Sequence, residues 1–258
     1  MAIDFKVEEG VALITINRPE VHNAMDAEHY DLLSKAWMRV RDEPEIRAAV
    51  ITGAGEKSFC AGADLRSYTT ASTWSLGQMW LTQREQLLNR GLEVWKPIIA
   101  AVNGYCLGGG STLLFATDIR IASENATFAI TEVRRGLVPG NGGTQRLLGQ
   151  LPYPIAMEWL LTGDSMNAHT AERWGLINRV VPQAQLLSTA IGIARRIAAN
   201  APLAVQAAKE LAIRAQDVDL ATGLRMEQIT NRLLQTSQDV LEGATAFKEK
   251  RAPRFKGE

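Results

Sequence analysis

Three glycine-rich segments hold the residues whose spacing is best suited to chemistry. The middle segment ends in a triple glycine at 108–110, which follows a predicted strand and opens a predicted helix at about Gly109. Backbone N–H groups in the first turn of a helix are unpaired and carry the positive end of the helix dipole. Glycine also lets a ligand approach that backbone closely. The segment therefore predicts an oxyanion-binding turn or a tight packing turn, and both interpretations stay open. The three segments are 59–65, 103–110 and 136–144.

Other functions of glycine-rich loops fit these segments poorly. None of them is followed by the lysine of a phosphate-binding P-loop. The stretch 140–145 falls one glycine short of the dinucleotide-binding fingerprint and does not follow a strand-to-helix turn of the right kind. The stretch 109–113 ends in Leu113, where a nucleophile elbow needs a closing glycine. Nucleotide binding and serine-hydrolase chemistry are therefore disfavoured.

An alternation of strands and helices must position these segments. Short β-branched runs predict strands, and apolar residues three or four apart predict helices. Asp26 is the expected N-cap of the first helix. The alternation indicates an α/β fold with parallel strands, and after about residue 142 the pattern becomes almost wholly helical. The predicted strands are 11–17, 47–52, 98–102, 119–122 and 127–130, and the predicted helices are 26–42, 76–95, 186–199, 202–215 and 220–236.

Composition excludes several classes of function. Of the 258 residues, 28 are Lys or Arg and 28 are Asp or Glu, and a formal net charge of zero argues against a nucleic-acid binder. Cys60 and Cys106 lie in apolar or glycine-rich settings and the three histidines are scattered, so we predict no metal site. Residues 1–6 lack the features of a signal peptide, and no window approaches 18 uncharged apolar residues. We therefore predict a cytoplasmic protein with neither membrane nor nucleic-acid partners.

Short motifs along essentially the whole chain resemble one known family. Each motif alone is weak, but their order and spacing together are specific. The chain resembles the crotonase superfamily, also called the enoyl-CoA hydratase/isomerase family. The motifs are Asn17-Arg18-Pro19 with Asn23-Ala24, Ala61-Gly62-Ala63-Asp64, Asn103-Gly104 before Gly108-Gly109-Gly110, Ala116-Thr117-Asp118, Gly136-Leu137-Val138-Pro139-Gly140 with Gly142-Gly143-Thr144, Ala171-Glu172 before Gly175-Leu176, and Phe247-Lys248-Glu249-Lys250-Arg251.

The resemblance implies an architecture and a substrate class. It implies a crotonase-like spiral core of ββα turns that carries an acyl-CoA site, which we place at 1–195, and a C-terminal helical oligomerisation region at 196–258. It further implies an acyl-CoA thioester substrate, no separate cofactor because coenzyme A is part of the substrate, and assembly as a homotrimer or homohexamer.

The resemblance also implies how the site works. The backbone amides of Ala63 and Gly109 would form an oxyanion hole that stabilises the enolate of the thioester. Arg66 matches a position where a basic residue meets the coenzyme phosphates, and Lys250 matches a basic position that reaches coenzyme A. Either could instead be an ordinary surface charge. The implied substrate-binding set is Ala61, Asp64, Arg66, Gly108, Thr112, Gly140 and Lys250.

One of the two carboxylates used by hydratases of this family is missing. Glu132 matches the glutamate that follows a strand pair, and we expect it to be the acid/base. Thr112 stands where the other glutamate would be, and Gly140 stands where some family members carry an aspartate. A single carboxylate can move a proton from C2 of a 3-enoyl-CoA to C4, whereas hydration asks for a second group to hold the water. We therefore predict isomerase-type proton transfer.

Two rival functions and one acyl-pocket hypothesis remain open. The chain could be a hydratase in which the Thr112 hydroxyl holds a water that Glu132 activates, or a non-catalytic binding protein that keeps only the fold. The stretch 67–95, which contains Tyr68, Trp74, Met79 and Trp80, would line an apolar acyl site, or these side chains could belong to the core.

Overall fold

A computed structural model of the chain describes residues 2–68 and 87–258. The predicted helix at 76–95 and the acyl-pocket stretch at 67–95 therefore lie largely outside the described residues. Where they overlap, the helix prediction is wrong. The chain forms only a short 3-10 helix at Leu88–Arg90, and Gly91 then takes a left-handed backbone with φ of 95°. Apolar spacing predicted an α-helix here, but Leu87 is extended and Gly91 is left-handed, so only the 3-10 helix forms between them.

A six-stranded sheet forms the centre of the molecule. Its strand order is β1-β2-β3-β5-β7-β10, with β1 antiparallel to β2 and every other neighbouring pair parallel. The parallel sheet predicted from the sequence is confirmed, although β1 and β10 were missed. The strands are β1 Ile3–Glu8, β2 Val11–Ile16, β3 Ala48–Gly53, β5 Ile98–Val102, β7 Ile119–Ser123 and β10 Arg179–Val181.

A second, smaller sheet receives the chain as it leaves the central one. Its order is β4-β6-β8-β9, with only β8 and β9 antiparallel. Three times along the chain, a strand of the central sheet is followed by a strand of this sheet, which gives the spiral of ββα turns that the resemblance implied. The strands are β4 Ser58–Cys60, β6 Tyr105–Leu107, β8 Thr127–Ala129 and β9 Ser165–Asn167.

The helices of the described residues cover the sheets and make up most of the chain beyond residue 142. Asp26 caps the first helix as predicted, since its carboxylate accepts from the backbone N–H of His29 at 3.1 Å. The helices are α1 Ala27–Asp42, α2 Gly109–Phe115, α3 Gly143–Leu147, α4 Tyr153–Thr162, α5 Ala168–Arg173, α6 Leu186–Ala198, α7 Pro202–Arg214, α8 Leu220–Leu234 and α9 Gln238–Glu249.

The central sheet is buried on both faces. Ile14 and Ile51 belong to one core cluster, together with Trp37 of α1, while Val50 and Ile99 belong to another that is covered by α6. Parallel strands buried on both faces read as continuous apolar runs, which is why β3 and β5 were recognisable from sequence. The central sheet is therefore the rigid base from which the site loops extend.

The C-terminal helices expose much apolar surface. Four large side chains on α8 and α9 are at least two-thirds exposed: Leu220 at 78%, Leu233 at 67%, Leu241 at 69% and Phe247 at 88%. The predicted boundary at 195/196 falls inside α6, which packs on the core, and the division into two regions stays a prediction. No helix among residues 2–68 and 87–258 is long and apolar enough to cross a bilayer.

Candidate active site

The loop that carries Ala63 is held against Met25 in a way that leaves its amide free. The N–H of Met25 donates to the carbonyl of Gly62 at 2.8 Å, and the N–H of Asp64 donates to the carbonyl of Met25 at 2.9 Å. This is the pattern of a parallel bridge between Met25 and Ala63. In such a bridge the flanking residues make the bonds, so the N–H of Ala63 points away from Met25.

The triple glycine meets that loop through backbone contacts. A Cβ added to Gly62, whose φ is 91°, would lie 2.9 Å from the amide nitrogen of Gly109. A Cβ added to Gly109 would lie 3.5 Å from the amide nitrogen of Ala63, and one added to Gly110 would lie 2.2 Å from the carbonyl oxygen of Cys60. A side chain at Gly62 or Gly110 would therefore force these backbone segments apart, whereas one at Gly109 would make ordinary contact. The tight packing that was one interpretation of this segment is therefore present, and the oxyanion-binding interpretation stays a prediction.

Two unpaired amides meet at this contact. Within the described part of the chain, neither Ala63 nor Gly109 donates its N–H to another residue. Gly109 is the first residue of α2, where an N–H has no partner inside the helix. Two fixed donors in one place suit an oxygen that becomes negative during a reaction, and one such donor is typically worth about 10²–10³ in kcat.

Glu132 lies next to the same turn. It follows β8 and opens a short 3-10 helix, Glu132–Arg135. A Cβ added to Gly108 would lie 3.3 Å from its Oε1, and its Oε2 is buried without a hydrogen-bond partner among the described residues. Burial raises the pKa of Glu132, against smaller opposing effects of its own backbone N–H and of Arg135. A desolvated carboxyl with one unpaired oxygen, next to the glycine that precedes the free amide of Gly109, is the arrangement expected of an acid/base.

Thr112 has its hydroxyl engaged within the protein. It is 1% exposed, donates to the carbonyl of Gly109 at 3.1 Å and accepts from Nδ2 of Asn89 at 3.2 Å. A Cβ added to Gly143 would lie 2.9 Å from its methyl carbon. Its proton is therefore committed to Gly109, and the amide of Asn89 lies next to it. Sequence reasoning missed Asn89, because no motif marks it and it lies in the stretch predicted as helix.

Other predicted residues lie around the loop at 61–64. The N–H of Ala61 donates to the carbonyl of His22 at 3.1 Å. The carboxylate of Asp64 accepts from Nη1 of Arg18 at 2.9 Å and from the backbone N–H of Arg66 at 3.1 Å. These bonds, the one from Arg66 foremost, hold the pKa of Asp64 below its ordinary value. The side chain of Arg66 is exposed beside this loop.

Gly140 and Lys250 form no hydrogen bond or ion pair with Ala63, Gly109 or Glu132 among the described residues. A Cβ added to exposed Gly140 would meet nothing within 4 Å among the described residues, and its carbonyl accepts from the N–H of Gly143 at 3.0 Å. Lys250 is exposed at the C-cap of α9, with a left-handed φ of 54°. The contacts of the described residues thus bring together Ala63, Gly108, Gly109, Thr112 and Glu132, and none of them connects Lys250 to this group.

Asn103 and the cysteines are structural in this chain. Asn103 Nδ2 donates to the carbonyls of Gly53 and Gly55 at 2.9 and 2.6 Å, which holds the turn after β3. Cys60 and Cys106 are free and buried, and burial raises the pKa of Cys60 to about 12. Across residues 2–68 and 87–258, no three or more His, Cys, Asp or Glu side chains group as a metal site would require.

A family model, curated relatives and solved structures all match this chain over nearly its whole length. A family model described as Enoyl-CoA hydratase/isomerase matches residues 6–258. (E)-benzylidenesuccinyl-CoA hydratase of Thauera aromatica is 42% identical over 257 residues, which covers 100% of both chains. Carnitinyl-CoA dehydratase of Proteus mirabilis is 41% identical over 251 residues, 95% of this chain and 94% of that one. The crystal structure of an enoyl-CoA hydratase from Bacillus anthracis matches with a TM-score of 0.91 and 37% identity, and covers 100% of both chains.

Proposed function

The chain is an enzyme that belongs to the enoyl-CoA hydratase/isomerase family, and on that premise we propose that it adds water reversibly across the C2–C3 double bond of a 2-enoyl-CoA. Two relatives support this direction by their names, one a hydratase and the other a dehydratase. The isomerase activity predicted from the sequence becomes the second candidate. The hypothesis of a non-catalytic binding protein is set aside, because the relatives are named as enzymes.

The proposed reaction uses the two amides and Glu132. The thioester carbonyl accepts hydrogen bonds from the N–H groups of Ala63 and Gly109. When the oxygen of a water molecule bonds to C3, the electrons of the double bond move towards the thioester, and the negative charge that develops on its oxygen is stabilised by these donors. Glu132 takes the proton that the water loses and delivers it to C2. The product carries a hydroxyl on C3 and a new hydrogen on C2, and dehydration reverses each step.

The observation that carries this proposal is the burial of Glu132 with one carboxylate oxygen unpaired. Its Oε2 is buried and has no partner among the described residues, so this oxygen can take up and release a proton without breaking a hydrogen bond to the protein. Its pKa is raised by burial, which brings it closer to the pH at which a group can both take and give a proton efficiently.

Isomerisation remains the second candidate because of Thr112. The threonine hydroxyl already donates to Gly109 and accepts from Asn89, so a second ionisable group is missing at this position. Proton transfer from C2 to C4 of a 3-enoyl-CoA needs only Glu132. The same amides would stabilise the enolate of that reaction.

A panel of coenzyme A thioesters distinguishes the two candidates. It contains 2-enoyl, 3-hydroxyacyl and 3-enoyl thioesters, an aryl-substituted 2-enoyl-CoA and carnitinyl-CoA. Hydration removes the absorbance of the conjugated thioester, whereas isomerisation creates it. We expect faster turnover of 2-enoyl than of 3-enoyl substrates, and a loss of about 10²–10⁴-fold in kcat for Glu132→Gln on each. Faster conversion of 3-enoyl substrates would favour the isomerase, and full activity of Glu132→Gln would contradict both candidates.

The same proposal covers binding, assembly and location. Ala61, Asp64, Arg66, Gly108, Thr112, Gly140 and Lys250 are its substrate-binding set, with Arg66 and Lys250 as phosphate contacts and no cofactor beyond the coenzyme A of the substrate. The exposed apolar side chains of α8 and α9 support burial against further copies of the chain, in a homotrimer or homohexamer. A cytoplasmic location belongs to the proposal as well.

A further inference from the structure

Arg18 lies between the first helix and the loop that carries Ala63. It lies two residues after the end of β2, and its own backbone is fixed because its N–H donates to Oδ1 of Asn23 at 3.0 Å and its carbonyl accepts from the N–H of Asn23 at 2.9 Å. Its side chain is 21% exposed, which is low for an arginine. The guanidinium therefore extends from a rigid stem at the end of a central strand.

The guanidinium joins two carboxylates that belong to different parts of the site. Its Nη1 donates to Asp64 at 2.9 Å and to the carbonyl of Ala24 at 3.2 Å, and it lies 3.3 Å from Oδ2 of Asp26. Asp26 is the N-cap of α1, and its other oxygen accepts from the ring and backbone of His29. Arg18 thus connects the start of α1 with the residue that directly follows the oxyanion donor Ala63.

The carboxylate of Asp64 has both oxygens engaged in binding. Its side chain is 12% exposed, one oxygen faces Arg18 and the other accepts from the N–H of Arg66. Its backbone N–H donates to the carbonyl of Met25, which is one of the two bonds that leave the N–H of Ala63 pointing away from Met25. Asp64 is therefore fixed on both sides, by its side chain to Arg18 and by its backbone to Met25.

We propose that Arg18 is a positioning residue for the oxyanion hole, and that it acts through Asp64 to hold the N–H of Ala63 in place. This inference deepens the proposed function and rests on it. Removing the cation would leave two neighbouring carboxylates without their shared partner, and the loop at 61–64 would relax outwards. Donors must keep their position to within a fraction of an ångström, because a misplacement of about 1 Å can cost about 10²-fold in rate.

The test compares Arg18→Met, Arg18→Lys and Asp64→Asn with the matched control Arg41→Met. Arg41 forms an exposed ion pair with Asp42 at the end of α1, so its replacement changes the net charge equally without touching the loop. We measure kcat and KM on the 2-enoyl-CoA, the melting temperature, and the pH at which a bound 3-ketoacyl-CoA becomes an enolate. That enolate absorbs in the near ultraviolet and reports the oxyanion hole directly.

Arg18→Met should lower kcat by about 10–100-fold while KM changes little, Asp64→Asn should lower kcat by a similar factor, and both should move enolate formation to higher pH by about 1–2 units. Arg18→Lys should recover part of the loss, since a lysine supplies the charge but not the planar fork. The double variant Arg18→Met/Asp64→Asn should lose no more than the worse single variant, because both act through one contact. Arg41→Met should match the wild type.

Three outcomes separate this role from its alternatives. Folded Arg18→Met with wild-type kcat and wild-type enolate formation overturns the positioning role, and so do losses that multiply in the double variant. If Arg18→Met does not fold, the same measurements on Asp64→Asn decide whether the contact between Arg18 and Asp64 positions the oxyanion hole. A wild type that binds the 3-ketoacyl-CoA without promoting its enolate overturns the proposed function itself, and the role of Arg18 with it.

Discussion

Replacing Gly62 with alanine should damage catalysis more than it damages folding. Gly62 has a φ of 91°, and a Cβ there would lie 2.9 Å from both the amide nitrogen of Gly109 and the carbonyl oxygen of Leu107. Ordinary van der Waals contact begins at 3.4 Å, so the two turns must move apart by about 0.5 Å to accept the methyl group. Both oxyanion donors lie on these turns.

The size of the effect follows from that movement. A left-handed alanine costs about 1–2 kcal/mol, and overpacking against backbone adds about 1–3 kcal/mol. A shift of half an ångström between the donors should lower kcat by about 10–100-fold, given the loss of about 10²-fold expected for 1 Å and of about 10²–10³-fold for a lost donor. KM should change less, because most of the binding surface of coenzyme A is untouched.

Gly91→Ala is the matched control for this experiment. Gly91 has nearly the same backbone, with a φ of 95°, but its Cβ would meet nothing within 4 Å among the described residues. It should lose only the cost of the left-handed alanine, about 1–2 kcal/mol, with wild-type kcat. Urea unfolding gives the free energies and steady-state kinetics gives kcat and KM.

The comparison of the two variants decides the outcome. If Gly62→Ala keeps wild-type kcat, or loses no more activity and unfolding free energy than Gly91→Ala, the close contact between the turns does not hold the oxyanion donors. The assignment of Ala63 and Gly109 to the site would then lose its geometric basis.

Three further predictions concern the acid/base, its neighbour and assembly. Because burial raises the pKa of Glu132, kcat/KM should fall as the pH is lowered through that raised pKa. The protonated carboxyl favours the folded state below about pH 4.3, and this contribution is lost as pH rises through the folded-state pKa. Glu132→Gln should therefore gain stability relative to wild type as pH rises over that window, and a gain independent of pH in urea unfolding would contradict this. Thr112→Val should lower the free energy of unfolding by about 1–3 kcal/mol, since it leaves the buried amide of Asn89 without its acceptor; an unchanged urea midpoint would refute that bond. Light scattering at micromolar protein should give the mass of a trimer or hexamer, and a sharp monomer mass would refute this. Lys250→Ala should weaken coenzyme A binding without changing the assembly.

Local features of the sequence were sufficient for the longer buried strands and for the start of the first helix. The apolar runs of β3 and β5 and the N-cap Asp26 were recognisable because burial on both faces and helix capping leave their mark on neighbouring residues. The three-residue strands β4 and β6 were missed, since pairing with other strands rather than their own composition creates them. The helix predicted up to Trp95 was wrong over the described residues because Leu87 is extended and Gly91 is left-handed, which leaves only the 3-10 helix between them.

The sequence by itself indicated that the triple glycine at 108–110 opens a helix and left open whether it binds an oxyanion or packs tightly, and the family resemblance predicted roles for Glu132, Ala63 and Gly109. Only the tertiary structure decided that the carboxyl of Glu132 lies next to Gly108 and has one buried, unpaired oxygen, that Asn89 donates to the Thr112 hydroxyl, and that Arg18 binds Asp64, 46 residues away in the chain. These contacts depend on the path by which successive ββα turns stack on one another. Residues far apart in sequence share no local pattern, so the packing of the sheets has to bring them together before their chemistry can be read.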